Sequence, residues 1–138
     1  MMRITDSISI DEAELEEKFI RSPGSGGQKV NKTETAVQLR FNARKSLVIN
    51  HAVFLRLQKI AGSRMTQNGE IVITAHQFRT QELNREDARA RLIKMIAQAV
   101  IPPKRRRKTK PTLASKRRRL DGKKRTSELK KGRGKVRF

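Results

Sequence analysis

Residues 101–138 of this chain cannot contribute to a hydrophobic core. They hold 18 Lys or Arg against 2 Asp or Glu, whereas residues 1–100 hold 16 against 11. Beyond Ile101, the larger apolar residues of this tail, Leu113, Leu120, Leu129, Val136 and Phe138, are too sparse to make a continuous apolar face. Burial cannot offset the entropy of ordering such a segment, so the tail is expected to be disordered by itself. The fold must come from the residues before it, and a chain of 138 residues has room for one domain. The tail's natural partner is a polyanion, because each phosphate it neutralises releases a condensed counterion. Nucleic acid is the expected polyanion. A membrane surface would compete, but it needs the apolar face that the tail lacks.

The remaining composition removes whole classes. No apolar run approaches the length of a spanning helix. Asp11, Glu12, Glu14, Glu16 and Glu17 fit neither a secretory signal nor a transit peptide. With no cysteine, disulfides and cysteine-based zinc sites are excluded. The expectation is a soluble, cytoplasmic, monomeric protein that binds no membrane and uses neither metal nor cofactor.

Hydrophobic periodicity sketches the domain. Residues 15–22 place Leu15, Phe19 and Arg21 at odd positions and predict a strand, with a short helix from Asp11 as the competing reading. Pro23-Gly24-Ser25-Gly26-Gly27 ends any regular element. Residues 36–41 alternate Val37, Leu39 and Phe41 with Gln38 and Arg40, which predicts a half-buried strand. Asn50 is the expected N-cap of a helix to Ala61, with Val53, Phe54, Leu57, Ile60 and Ala61 as its core stripe. Asn68-Gly69 predicts a turn and residues 70–75, rich in β-branched side chains, a strand. Asn84 is the expected cap of the last helix, whose stripe is Ala88, Leu92, Met95, Ile96, Ala99 and Val100 and whose stop is Pro102-Pro103. The fold class is α+β: a small, mostly antiparallel sheet covered by two helices, followed by a disordered basic tail able to fold as a helix on RNA.

Between the first two strands lies Gly24-Ser25-Gly26-Gly27-Gln28. Taken alone this is a flexible connector, and a Gly-Gly-Gln triplet arises by chance too often to mean much. The longer string Arg21-Ser22-Pro23-Gly24-Ser25-Gly26-Gly27-Gln28-Lys29-Val30-Asn31-Lys32-Thr33-Glu34-Thr35-Ala36-Val37 resembles the signature of class I peptide chain release factors. Its Gln-x-Val-Asn-Lys form, the short chain and the basic tail are similar to the stand-alone ribosome-rescue branch, the peptidyl-tRNA hydrolases. The similarity extends to Gln81-Glu82-Leu83-Asn84-Arg85-Glu86 and to Gly132-Arg133-Gly134-Lys135-Val136-Arg137. Pro23 and Ser25 depart slightly from the pattern and leave the triplet intact.

The resemblance implies that Gly26, Gly27 and Gln28 enter the peptidyl-transferase centre of the large ribosomal subunit and help water release the peptide from tRNA. Residues without Cβ suit a backbone that must approach an ester closely among RNA. A carboxamide does not titrate near neutral pH, so Gln28 is no general base. The resemblance implies that its backbone N–H stabilises the developing oxyanion or leaving group while its side chain shapes the space for water. Around the triplet, Gly24, Ser25, Lys29, Asn31 and Lys32 are expected to contact RNA, with Arg40, Arg44 and Lys45 as flanking phosphate contacts.

No other constellation competes. His51 and His76 fall at a predicted helix start and strand end. Glu12, Glu14, Glu16 and Glu17 read as a solvated acidic segment rather than a general-acid pair; a third option is that they loosely hold the tail when no RNA is present. Neither a nucleophile–base signature nor a phosphate-cradling Gly-Lys-Ser/Thr loop occurs.

The chain divides into a catalytic domain (1–101), a linker (102–113) and a ribosome-binding tail (114–138). A codon-reading domain is not expected to fit. The rescue branch selects its ribosome by placing its tail in the mRNA channel of the small subunit when message is missing, and a linker of this length spans at most about 43 Å. Residues 114–131 lack proline and are mostly good helix formers. On a helix, Lys116, Arg119, Lys123, Lys130 and Arg133 would cluster within about 100° of arc, with Gly132 a candidate terminator. The implied function is codon-independent hydrolysis of peptidyl-tRNA on ribosomes stalled without a stop codon, with rRNA and peptidyl-tRNA as partners. The alternative is a non-catalytic ribosome-associated RNA-binding protein with an incidental Gly-Gly-Gln.

Overall fold

The computed structural model describes residues 1–22 and 34–134. The chain forms two compact units, Met1–Pro102 and Pro103–Phe138. The first opens with a small hairpin, β1 (Met2–Arg3) antiparallel to β2 (Ser9–Ile10), with Met2 opposite Ile10. Its turn is tied by Thr5, whose hydroxyl accepts from the Ile8 amide at 3.1 Å. Both readings of the next segment hold in succession. A 3₁₀ turn over Glu12–Glu14, capped by Asp11, leads into β3 (Leu15–Ile20).

β4 (Ala36–Asn42) is the central strand of a three-stranded antiparallel sheet, between β3 and β5 (Glu70–Ala75). Register decides what each face holds, since side chains alternate along a strand. One face carries the rows Leu15–Phe41–Ile71, Glu17–Leu39–Ile73 and Phe19–Val37–Ala75. The β4 and β5 members of those rows are all buried. The opposite face carries Glu16–Arg40–Val72 and Lys18–Gln38–Thr74, the polar side expected of a sheet covered once.

α1 (His51–Ala61) starts at Asn50, whose side-chain oxygen accepts from the Val53 amide at 2.8 Å. Val53, Phe54, Leu57 and Ala61 are buried; Ile60, expected with them, lies at the edge of that stripe and is exposed. The Asn68-Gly69 turn needs its glycine twice over. Gly69 has φ +81°, and a Cβ there would stand 2.8 Å from Arg44 Cβ and 3.1 Å from the Phe54 ring.

α2 (Gln81–Val100) packs against β4, β5 and α1, so the sheet is covered chiefly by α2 with α1 laid upon it. Its cap corrects the expectation from sequence. Thr80 is the N-cap, its hydroxyl accepting from the Leu83 amide at 3.3 Å, and Asn84 lies one turn inside the helix, fully buried. Ala88, Leu92, Met95, Ile96 and Ala99 are buried as expected, and Val100 packs partly buried at the end. Each large side chain so buried stabilises the unit by about 1.5–3 kcal/mol. At the C-terminus of α2, Arg56 of α1 donates to the Ala99 and Val100 carbonyls, satisfying groups that a helix end leaves free.

The second unit differs from the disordered tail expected from sequence. Leu113–Gly132 form a helix, α3, with no buried residue. Local terms explain it. The Thr112 hydroxyl accepts from the Ser115 amide at 3.2 Å, no proline interrupts, most residues are good helix formers, and Lys130 and Lys131 complement the negative end of the dipole. Gly132 is its last residue. No described helix is long and apolar enough to cross a membrane.

Candidate active site

Gly24, Ser25, Gly26, Gly27, Gln28, Lys29, Asn31 and Lys32 lie outside the described residues. The structure shows the frame to which their segment, 23–33, is joined. β3 delivers the chain at Ile20 and β4 receives it at Ala36, and these two residues are register partners.

Both arms of this frame are tied to α2. On the outgoing side, the Gln81 carboxamide donates to the Glu34 carbonyl. The Asn84 carboxamide donates to the carbonyls of Thr35 at 2.7 Å and Phe78 at 3.0 Å, while its oxygen accepts from the Phe78 amide at 2.8 Å. Asn84 therefore uses both donor hydrogens and its acceptor, which makes a fully buried amide tolerable. On the incoming side, Glu17 projects from the covered face of β3. Its carboxylate accepts from Arg89 Nε at 2.7 Å and pairs with Arg85. A carboxylate on the inner face of a sheet persists only with such charge-assisted bonds.

Glu17 is thus not the solvated acid expected, whereas Glu12 is exposed as expected and only flanked by charge. Arg89 also approaches Glu12 at 3.8 Å, and the N-terminal amine reaches Glu12 at 3.8 Å from the other side. Glu16, on the open face, pairs with Lys18 at 3.0 Å. The hydrogen bond from Lys18, then the positive charges of Lys18 and Arg40, hold the Glu16 carboxyl below its ordinary value.

The flanking basic residues are partly occupied. Arg40 donates to Gln38 at 3.2 Å and lies 3.6 Å from Glu70, and the Arg44 guanidinium sits 5.5 Å from the Phe54 ring centroid. Lys45 is exposed. His51 opens α1 and His76 follows β5, both exposed. In the second unit, Lys116, Arg119, Lys123 and Lys130 are exposed on α3, and Arg133 is its C-cap residue. Arg119, Lys123 and Lys130 border one shallow trough along the helix, where Gly122 leaves space; Lys116 and Arg133 do not line it.

Sequence reasoning missed Gln81, Asn84 and Glu17 as parts of the frame. The signal for Asn84 was present: it stands four and eight positions before Ala88 and Leu92, on the buried stripe rather than ahead of it. Nothing local marks Glu17, whose partners lie on a distant helix.

Residues 3–133 match the family model described as RF-1 domain. Across its whole length the chain is 47% identical to Peptidyl-tRNA hydrolase ArfB of Pseudomonas putida, covering 100% of both chains. It is also 30% identical over 86 residues to Large ribosomal subunit protein mL62 of Mus musculus, an alignment covering 62% of this chain and 42% of that one.

Proposed function

This chain belongs to the RF-1 domain family, and from that premise we propose that it hydrolyses peptidyl-tRNA on ribosomes stalled without a stop codon. The observation that carries this reading is the end-to-end 47% identity to a peptidyl-tRNA hydrolase. The Gly-Gly-Gln triplet supplies its chemistry.

The bond broken is the ester joining the nascent peptide to the terminal ribose of tRNA. Water adds to the carbonyl carbon, the tetrahedral oxyanion collapses, and the peptide leaves as a carboxylic acid while the tRNA regains its hydroxyl. Gly26 and Gly27 let the backbone reach the ester inside the peptidyl-transferase centre. The Gln28 backbone N–H stabilises charge developing on oxygen, and its side chain restricts where water sits. The tRNA's terminal hydroxyl and rRNA complete the machinery. Lys29 and Lys32, with Gly24, Ser25 and Asn31, contact RNA around the triplet, and Lys45 is an exposed flanking contact. The reaction needs neither metal nor cofactor.

The tail selects the ribosome. Residues 102–113 serve as a tether, and α3 lies in the mRNA channel of the small subunit with Lys116, Arg119, Lys123, Lys130 and Arg133 toward rRNA phosphates. An exposed, highly charged helix repels itself, so binding to RNA deepens its order. The protein acts as a monomer in the cytoplasm, where these ribosomes are.

The similarity to a mouse large ribosomal subunit protein over 86 residues favours a second reading, a ribosome-associated RNA-binding protein that does not catalyse release. Peptide release measured against the length of message beyond the P site separates the readings. A rescue hydrolase releases peptide when message ends near the P site and loses activity as message fills the channel. A codon-dependent factor requires the stop codon instead, and a non-catalytic RNA-binding protein releases nothing.

A further inference from the structure

We propose that Asn84, assisted by Gln81, is a positioning residue for peptide release: the two carboxamides fix the backbone of Glu34 and Thr35, through which segment 23–33 rejoins the domain, to the first turn of α2. This rests on the Gly-Gly-Gln reading above and adds to it a device for aiming the loop.

Asn84 stands in the place of an apolar core residue. It occupies a helix position facing the core, in line with Ala88 and Leu92, where an apolar side chain would satisfy packing. An amide buried there is costly unless every polar atom is paired. All are paired, and none of the bonds serves the helix itself. They go to Phe78, in the approach to α2, and to Thr35, next to β4. Asn84 thus spends a core position on holding two irregular backbone segments.

Gln81 lies three residues earlier, a spacing that puts the two side chains on one face of the helix. It takes the neighbouring carbonyl, that of Glu34. Two successive carbonyls are therefore gripped by one helical turn. The incoming arm is fixed to the same helix by Glu17 through Arg85 and Arg89. Both ends of the segment are referred to α2, which the core holds rigidly through Ala88, Leu92 and Ile96. Release depends on placing backbone against an ester, and a misplacement of about 1 Å costs on the order of a hundredfold in rate.

A purely structural role makes a different forecast, and Gln81 exposes it. Gln81 is exposed at the first position of α2, and alanine is an equal or better helix former. Gln81→Ala should leave the melting temperature unchanged.

The experiment is single-turnover peptide release by the full-length chain on ribosomes stalled without a stop codon, over a range of protein concentration. Asn84→Ala should lower the saturated release rate by at least about tenfold and Gln81→Ala by about threefold. The half-saturating concentration should stay within about twofold of wild type in both. Asn84→Asp keeps the shape but turns an acceptor toward the Thr35 carbonyl, and should fall as far as Asn84→Ala. Val53→Ala in α1, an ordinary core loss away from these ties, should keep the wild-type rate below its melting temperature. Saturated rates equal to wild type in Gln81→Ala and both Asn84 variants would overturn the proposal, as would losses confined to the half-saturating concentration. Should the Asn84 variants not fold, Gln81→Ala decides: a slower rate at unchanged melting temperature supports the proposal and a wild-type rate overturns it. Gly27→Ala run alongside tests the underlying reading separately, since release by that variant contradicts the triplet's role whatever Asn84 does.

Discussion

Glu17 and Arg89 stand 72 positions apart in sequence and 2.7 Å apart in space, with only 13% of the Glu17 side chain exposed. The pair fastens the strand that leads toward the Gly-Gly-Gln segment to the helix that covers the sheet. Glu17→Ala leaves Arg85 and Arg89 facing an emptied site on the inner face and should destabilise the domain by about 1–3 kcal/mol. Arg89→Ala should be milder, because Arg85 still pairs with the carboxylate. Urea unfolding curves rank the two; equal midpoints for both variants and wild type would show the cluster to be energetically idle.

Gly69→Ala tests the Asn68-Gly69 turn that leads into β5. The left-handed φ alone costs about 1–2 kcal/mol for a residue with Cβ, and contact with Arg44 and Phe54 adds to it. A lower unfolding midpoint is expected, with release activity retained at temperatures where the variant stays folded. An unchanged midpoint contradicts the strained geometry.

How far the sequence disclosed this arrangement depended on the range of the interaction. Val37, Leu39 and Phe41 alternate plainly, and Asn50 caps α1 through a bond to Val53, so β4 and α1 were legible from neighbours alone. Met2 and Ile10 were not, because strands of two residues have no period to read, although Ile10 is fully buried. Asn84 was misplaced because Asn is a common cap, whereas Thr80 holds that position and Asn84 serves Thr35 across the fold. α3 formed where net charge argued for disorder, since capping and propensity act locally and charge composition does not capture them. For the candidate site, the string 21–37 announced the chemistry, but the ties from Glu34, Thr35 and Glu17 to α2 exist only in three dimensions.

Removing residues 103–138 should leave the first unit folded, because among the described residues every buried core residue precedes Pro102. Ribosome affinity should collapse and its salt dependence flatten, as most counterion release is lost with the tail. Binding measured across a salt series checks both. An unfolded truncation, or an unchanged slope, contradicts the division into module and tether.

The orientation of α3 on RNA is tested by single substitutions. Arg119→Ala or Lys123→Ala should cost about tenfold in rescue activity, the scale of one or two charge-assisted phosphate contacts. Arg117→Ala or Lys124→Ala, on other faces of the helix, should cost about twofold or less. Equal losses across all four would mean that the helix binds as an undirected polycation.

The central claim is tested most directly by peptide release with wild-type protein and Gly27→Ala on ribosomes stalled at the end of a message without a stop codon, with ribosome binding measured in parallel. The wild-type chain should release peptide within a single turnover. Gly27→Ala should bind with nearly wild-type affinity and release almost none, because a Cβ stands where backbone must pass the ester. Release by Gly27→Ala at the wild-type rate, or none by the wild-type chain, would contradict the assignment of hydrolysis to this loop.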